Sequence, residues 1–283
     1  MAVSLEISKT TGHSRSISLP STSHPLATAV EERLQRLKSS DATSSSLASS
    51  EPPTLGGLKD LYDCIDNWLQ MPLTQEALSH EHRRSSMEEL LDGSLKLLDV
   101  CGNVKDVFSQ MKVCIQELKS SSRRRRGRDP EQAREVKTYI RSRKRLQKMV
   151  IKLLDHVIKM KKKNYFRNHS KPEATLSILR EAEEISFSVF ESLLHLLSVP
   201  RERSKPSPKR VSCDEKAKYD KIQGLDDELT ILKSANDANP QVYNVSKRLE
   251  ALESSIREIE EDMEGIFRRL VKTRAALLNI MNC

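Results

Sequence analysis

The sequence predicts an all-α protein: an elongated bundle of long antiparallel helices with coiled-coil-like seams and a disordered N-terminal tail. Two stretches, 87–118 and 242–280, predict it most directly, because their apolar residues recur at alternating steps of three and four. Aromatic residues make up only 4% of the chain and charged residues 31%, so aliphatic side chains form the core of charge-rich helices. A helix with one apolar side is not stable alone in water, and we expect these helices to cover one another.

The first 25 residues are polar and rich in Ser, and we expect them to be disordered. They contain a candidate phospho-dependent motif formed by Arg15, Ser16, Ser18 and Pro20. Arg15 stands three residues before Ser18, as basophilic kinases require, and phosphorylated Ser18 would resemble the binding motif of 14-3-3 proteins. Phosphate oxygens bind arginine clusters, and the proline turns the chain out of the groove. The alternative is a plain Ser-rich tail.

Targeting signals are weak. The N-terminus lacks the apolar core of a secretory signal, and Glu6 together with the scarcity of Arg argues against an organelle transit peptide. We find no 18-residue window free of charge, so we expect no transmembrane helix. These features predict a cytoplasmic protein, with peripheral membrane association or nuclear location as alternatives.

The helical domain is expected over 26–283 and begins with short helices. Pro25 is a favourable first residue for the first helix, and Thr54 is a good N-cap for the second. Met71-Pro72 ends the second helix, and we expect Thr74 to cap a short third helix that runs through Leu78.

The long helices are expected within 54–122 and 130–199. In the first of them, the stripe of 87–118 would extend for roughly 48 Å and contains Ser94 as its one polar member. Gly93 and Gly102 lie inside this helix, where each costs on the order of 1 kcal/mol relative to Ala. We expect them to allow the close approach of a neighbouring backbone or a gentle kink.

The segment 123–163 carries the strongest charge asymmetry. It contains 17 Lys and Arg against four acidic residues, a net charge of +13, whereas the whole chain is only +8. Four interpretations stay open: a solvated face or one paired with the acidic arm 214–264, a nuclear import signal, an anionic-lipid surface, or a nucleic-acid surface. Scarce aromatic residues argue against nucleic acid. The candidate anionic-partner residues are Arg123, Arg124, Arg125, Arg126, Arg128, Arg141, Arg143, Lys144 and Arg145.

The C-terminal part follows a charged linker at 200–215 and is expected to be helical over 216–281. Its heptad pattern at 242–280 has Thr273 as the one polar residue. The partner of this stripe is either the 87–118 helix of the same chain or a second molecule in a homodimer. The broad stripes elsewhere in the chain favour the intramolecular partner.

We find no catalytic motif and no metal-ligand pattern. His80 and His82 are two residues apart, so on a helix they face different directions. The five cysteines include no C-x-x-C pair and are expected to be small buried hydrophobes in a reducing compartment. We therefore expect a non-enzymatic protein without a cofactor.

Five segments of the chain carry a resemblance to a known family. They are His13 to Leu26, Gly57 to Leu78, Leu90 to Lys112, Leu179 to Ser198 and Val271 to Asn282. Together they resemble a plant-specific family of helical proteins known as BYPASS-like. The resemblance extends over essentially the whole chain and implies an all-helical fold. It also implies a role in root and shoot development, by restraining a root-derived mobile signal, but no functional residues. We therefore expect a plant interaction or regulatory protein, with a peripheral membrane factor or a nuclear protein as alternatives.

Overall fold

A computed structural model describes residues 25–39, 54–80, 84–124, 130–167, 174–198 and 240–282. These residues form helices and short connections, and no strand occurs among them. The seven helices are α1 (Pro25–Ser39), α2 (Leu55–Leu69), α3 (Pro72–Ser79), α4 (Arg84–Arg124), α5 (Pro130–Arg167), α6 (Ala174–Ser198) and α7 (Pro240–Asn282). The predicted all-α class is confirmed. The tail motif, the linker at 200–215 and the predicted helix after it lie outside the described residues.

Helix α4 is the centre of the bundle and packs against α5, α6 and α7. It has 41 residues, about 62 Å at 1.5 Å per residue, and is longer than the predicted stripe. The stripe prediction itself is confirmed, because its ten positions are all buried. They are Met87, Leu90, Ser94, Leu97, Cys101, Val104, Phe108, Met111, Ile115 and Leu118.

Helix α7 covers the stripe of α4 from the same chain. Its heptad residues are buried from Leu249 to Ile280, and Thr273 is buried with them. Helix α2 packs on α7 from another side. The intramolecular alternative therefore accounts for this stripe, and a homodimer through 242–280 stays a prediction.

Ion pairs along α4 and α7 show how the two helices are aligned. Three α4 lysines spaced by seven residues each contact an α7 glutamate, and the glutamate numbers fall as the lysine numbers rise, so the helices are antiparallel. These three glutamates of the predicted acidic arm 214–264 thus pair with α4, whereas the sequence suggested the basic segment at 123–163 as a partner of the arm. The Nζ–O distances are 2.8 Å for Lys105–Glu264, 2.5 Å for Lys112–Glu260 and 2.7 Å for Lys119–Glu253.

The helix starts follow local chemistry, with one correction. Thr54 caps α2 as predicted, because its side-chain oxygen accepts from the Gly57 N–H at 2.8 Å. The predicted cap at Thr74 is wrong. Helix α3 already begins at Pro72, since a proline suits a first helical position, and Thr74 lies buried inside the helix with its N–H bonded to the Met71 carbonyl at 3.0 Å.

Candidate anionic-partner surface on helix α5

Among the described helices, α5 packs closely against two long ones, α4 and α6. Its apolar side is buried against them at Tyr139, Leu146, Val150, Leu154 and Val157. Two polar contacts hold the side facing α6. Gln147 Nε2 donates to the Ser198 carbonyl at 3.1 Å, and Lys161 Nζ lies 2.5 Å from Glu191 Oε2. The opposite side of α5 faces outward.

The outward side of α5 is a continuous basic surface, which we call the basic face. At about 100° per residue, its nine basic positions fall within a sector of roughly 120°, extending about 42 Å along the axis. Every one of them is exposed. Asp155 is the one acidic residue in this sector. The basic face consists of Arg134, Lys137, Arg141, Lys144, Arg145, Lys148, Lys152, Lys159 and Lys162.

The charges of the basic face are not compensated within the part of the chain whose side chains the structure describes. The recorded ion pair of α5 there belongs to Lys161, which lies outside the face. No ion pair between described side chains involves a member of the basic face. Within the described side chains, pairing between the basic segment and the acidic arm 214–264 therefore finds no supporting ion pair for the basic face. Residues 214–239 of that arm lie outside the described residues, so their pairing with the face stays a prediction.

Two exposed apolar residues border the basic face. Met149 retains 43% of its accessible surface and Ile151 44%, which is unusual for such side chains in this bundle. By helical geometry they lie about 80° to either side of the centre of the face. The outward side of α5 is therefore amphipathic across its width, with cations in the middle and an apolar side chain at each border.

The structure sorts the residues that the sequence predicted for an anionic partner. Arg141, Lys144 and Arg145 belong to the basic face, but Arg143 does not. Arg143 is half-buried on the α4 side near Cys114, where burial raises the pKa of the thiol and the guanidinium offsets only part of that rise. Arg123 and Arg124 end α4 without described side chains, and Arg125, Arg126 and Arg128 lie outside the described residues.

Sequence reasoning did not single out six members of the basic face: Arg134, Lys137, Lys148, Lys152, Lys159 and Lys162. The signal was present, because these residues follow the three-four spacing of one helix side. The prediction instead selected dense runs of basic residues such as 123–128. In a dense run successive residues point in different directions, so density along the chain does not identify a face.

Two described thiols, Cys101 and Cys114, are poorly reactive. Burial raises the pKa of the Cys101 thiol to about 12 and also raises that of Cys114, so both are poor nucleophiles at neutral pH. No cluster of three or more His, Cys, Asp or Glu side chains that could hold a metal ion occurs among the described residues. None of the described helices is both long and apolar enough to span a membrane.

Comparison with known proteins gives one match. The family model described as Protein BPS1 matches residues 54–280, which includes α2 to α6 and all but the last two residues of α7. No curated protein and no solved structure matches.

Proposed function

The chain belongs to the BPS1 family, as its BYPASS-like resemblance predicted, and we propose that it is a non-enzymatic regulatory protein that binds an anionic membrane surface through the basic face of α5. The observation that carries this proposal is the length of exposed, unpaired positive charge on an edge helix. None of the described residues covers the basic face, which supports its use as a binding surface.

The size of the charge is sufficient for reversible binding. Each Lys or Arg close to an anionic lipid surface contributes about 1 kcal/mol, although neighbouring contributions are not fully additive. If several members of the basic face contact the lipid surface at the same time, their summed contributions are large enough for reversible membrane binding. Because the interaction is electrostatic, it weakens as salt approaches and exceeds physiological concentrations.

The shape of the face favours a membrane over a nucleic acid. A straight stripe about 42 Å long can lie flat on a planar surface, and Met149 and Ile151 at its borders would reach the boundary between headgroups and acyl chains. Single-stranded nucleic acid is bound largely by stacking on aromatic side chains, and the basic face contains none.

Flotation with lipid vesicles tests the membrane proposal. We expect binding to vesicles containing phosphatidylserine, no binding to phosphatidylcholine alone, and loss of binding at high salt. Replacing Arg141, Arg145 and Lys148 by Gln should weaken the binding about a hundredfold. The control replaces Lys247, Arg257 and Arg268 by Gln, which removes the same charge from exposed positions on α7.

Comparison of the two triple variants shows whether vesicle binding depends on net charge or on the position of the charges. Equal losses in the two triple variants would mean that net charge alone drives binding, and the proposal for α5 would be wrong. Preference for duplex DNA or RNA over anionic vesicles in a competition assay would assign the face to nucleic acid instead.

The regulatory part of the proposal follows from the resemblance, which implies control of root and shoot development. Complementation in plants lacking the protein tests it. We expect the α7 control variant to restore normal growth and the α5 variant to fail while accumulating to the same level. Full rescue by the α5 variant would separate the developmental role from the basic face.

A further inference from the structure

A small cavity lies between α2, α4, α6 and α7, far from the basic face. Its walls are mostly aliphatic, but four polar side chains line it or border on it: Tyr62, Ser94, Glu183 and Thr273. The space open to a water-sized sphere is about 20 Å³. This is enough for one water molecule and too small for an organic ligand.

Two polar atoms at this cavity lack a hydrogen-bond partner within the described residues: Glu183 Oε1 and Thr273 Oγ1. The other two hydroxyls are already engaged. The Tyr62 and Ser186 hydroxyls are 2.9 Å apart, and Ser94 Oγ donates to the Leu91 carbonyl at 2.9 Å. A buried polar atom without a partner costs on the order of 1–3 kcal/mol, so two of them at one cavity call for an explanation.

Gly93 makes room for the Glu183 carboxyl. A Cβ atom at position 93 would lie 2.9 Å from Glu183 Oε1 and still closer to Oε2, distances that real Cβ atoms essentially never show. The absence of a side chain at Gly93 of α4 therefore leaves room for the Glu183 carboxyl of α6. The predicted close approach at Gly93 is correct, but the neighbour is a side chain and not a backbone.

The charged groups around Glu183 do not offer it a direct ion pair. From α6, Arg180 lies 3.2 Å from Glu89 of α4, and Lys96 of α4 contacts Asp92. Arg274 of α7 donates to Ser94 Oγ at 2.8 Å. Burial raises the pKa of Glu183 well above its usual range, more than Arg180 and Lys96 lower it. The raised pKa favours the neutral, protonated carboxyl, which has one O–H to donate.

We propose that the cavity is a binding site for one ordered water molecule, held between the carboxyl of Glu183 and the hydroxyl of Thr273. The water gives a hydrogen-bond partner to both orphaned atoms. It also links α6 to α7, because Glu183 belongs to α6 and Thr273 to α7. A monovalent cation fits less well, because the guanidinium of Arg274 already lies beside Ser94.

Hydration measurements on the unmodified protein test the site directly. With labelled methyl groups, we expect a nuclear Overhauser signal between the Thr273 methyl and a long-lived water molecule. Absence of that signal, while buried methyls elsewhere give clean spectra, would show a dry cavity and overturn the proposal.

Thr273→Val distinguishes a dry cavity from a hydrated one by the sign of the change in melting temperature. In a dry cavity the hydroxyl is an unpaired buried group, so its replacement by a methyl should leave the melting temperature unchanged or raise it. If a water molecule binds there, the substitution breaks a satisfied network and should lower the melting temperature by about 2–4 °C. Thr138→Val is the control, because that hydroxyl is exposed and bonds only the Arg134 carbonyl, at 3.0 Å.

Glu183→Gln tests the neutral carboxyl. A folded-state pKa raised above the unfolded value of about 4.5 means that the contribution of Glu183 to stability is fully present below pH 4.5 and is lost as pH rises through the folded-state pKa. The Gln variant should therefore gain stability relative to the unmodified protein as pH rises. The neighbouring, exposed Glu184→Gln should show no such gain, and identical pH profiles for all three proteins would contradict a neutral Glu183.

Discussion

The lysines of α4 and the basic residues of α5 belong to neighbouring helices but have opposite surroundings. Lys105, Lys112 and Lys119 face α7 and each contacts a glutamate. The basic face of α5 has no such partner among the described side chains, although its residues recur at similar intervals. The difference comes from position in the bundle, because among the described helices α4 packs closely against three others and α5 against two. Within the described residues, charge therefore aligns α4 with α7 in one place and is exposed on the surface in the other.

The largest expected effect compares an apolar residue of the α4–α7 seam with one at the border of the basic face. Ile256→Ala removes a fully buried side chain of α7 and should lower the free energy of unfolding by about 2–5 kcal/mol, because a cavity remains. Ile151→Ala removes the same atoms from an exposed site and should change it by less than about 0.5 kcal/mol. Denaturant unfolding measures both. Similar losses would show that α5 is covered in solution.

Substitutions at two glycines of α4 compare how closely this helix packs against α6 and against α7. Gly93→Ala should destabilise by about 1–3 kcal/mol, because the new methyl meets the Glu183 carboxyl. Gly102→Ala should stabilise by up to about 1 kcal/mol, because its methyl would lie 4.0 Å from the Phe267 ring, an ordinary contact. Thermal unfolding gives the two signs. Equal effects would place Glu183 away from Gly93.

Reversing the charge of one lysine on α4 and one on α5 tests the distinction between paired and exposed charge. Lys112→Glu puts a second carboxylate beside Glu260 and should destabilise the fold by about 1 kcal/mol, with little effect on vesicle binding. Lys144→Glu should do the reverse, weakening vesicle binding and leaving stability within about 0.5 kcal/mol. Both variants carry the same net charge. If they behave alike in the two assays, the distinction between paired and exposed charge is wrong.

The smallest expected effect concerns the pair between Asp63 of α2 and Arg269 of α7. Arg269 Nε and Nη2 lie 2.6 and 2.8 Å from the two carboxylate oxygens, and these hydrogen bonds lower the pKa of Asp63 below 3.8. The stabilisation is present above pH 3.8 and is lost as pH falls through the folded-state pKa. Asp63→Asn should cost less than about 1 kcal/mol at pH 7, since the carboxylate is half exposed.

The acid range provides the check on that pair. The difference in unfolding free energy between Asp63→Asn and the unmodified protein should close as pH falls below 3.8. A difference that persists at lower pH would mean that Asp63 acts through packing and not through its charge.

The sequence predicted what depends on periodicity. The stripe residues of α4 and α7 are buried at every described position, because a heptad pattern specifies one side of a helix independently of its partner. Thr74 was misassigned since a proline two residues earlier starts the helix first. Arg143, which the prediction grouped with the other basic residues, lies half-buried on the α4 side of α5, away from the basic face. The contact between Gly93 and Glu183 joins residues 90 positions apart, and local sequence carries no signal for it.

The heptad spacing of Lys105, Lys112 and Lys119 has a consequence for the register in which α7 packs against α4. An apolar stripe that repeats every seven residues can slide by seven along its partner and remain largely in contact. A slip in one direction, however, would bring three other residues opposite these lysines: Val271, Phe267 and Glu260. The opposite slip would bring Arg257, Glu253 and Ser246. Either slip loses two of three pairs, so ion pairs that add little to stability still select one register among several that the apolar stripe alone would tolerate.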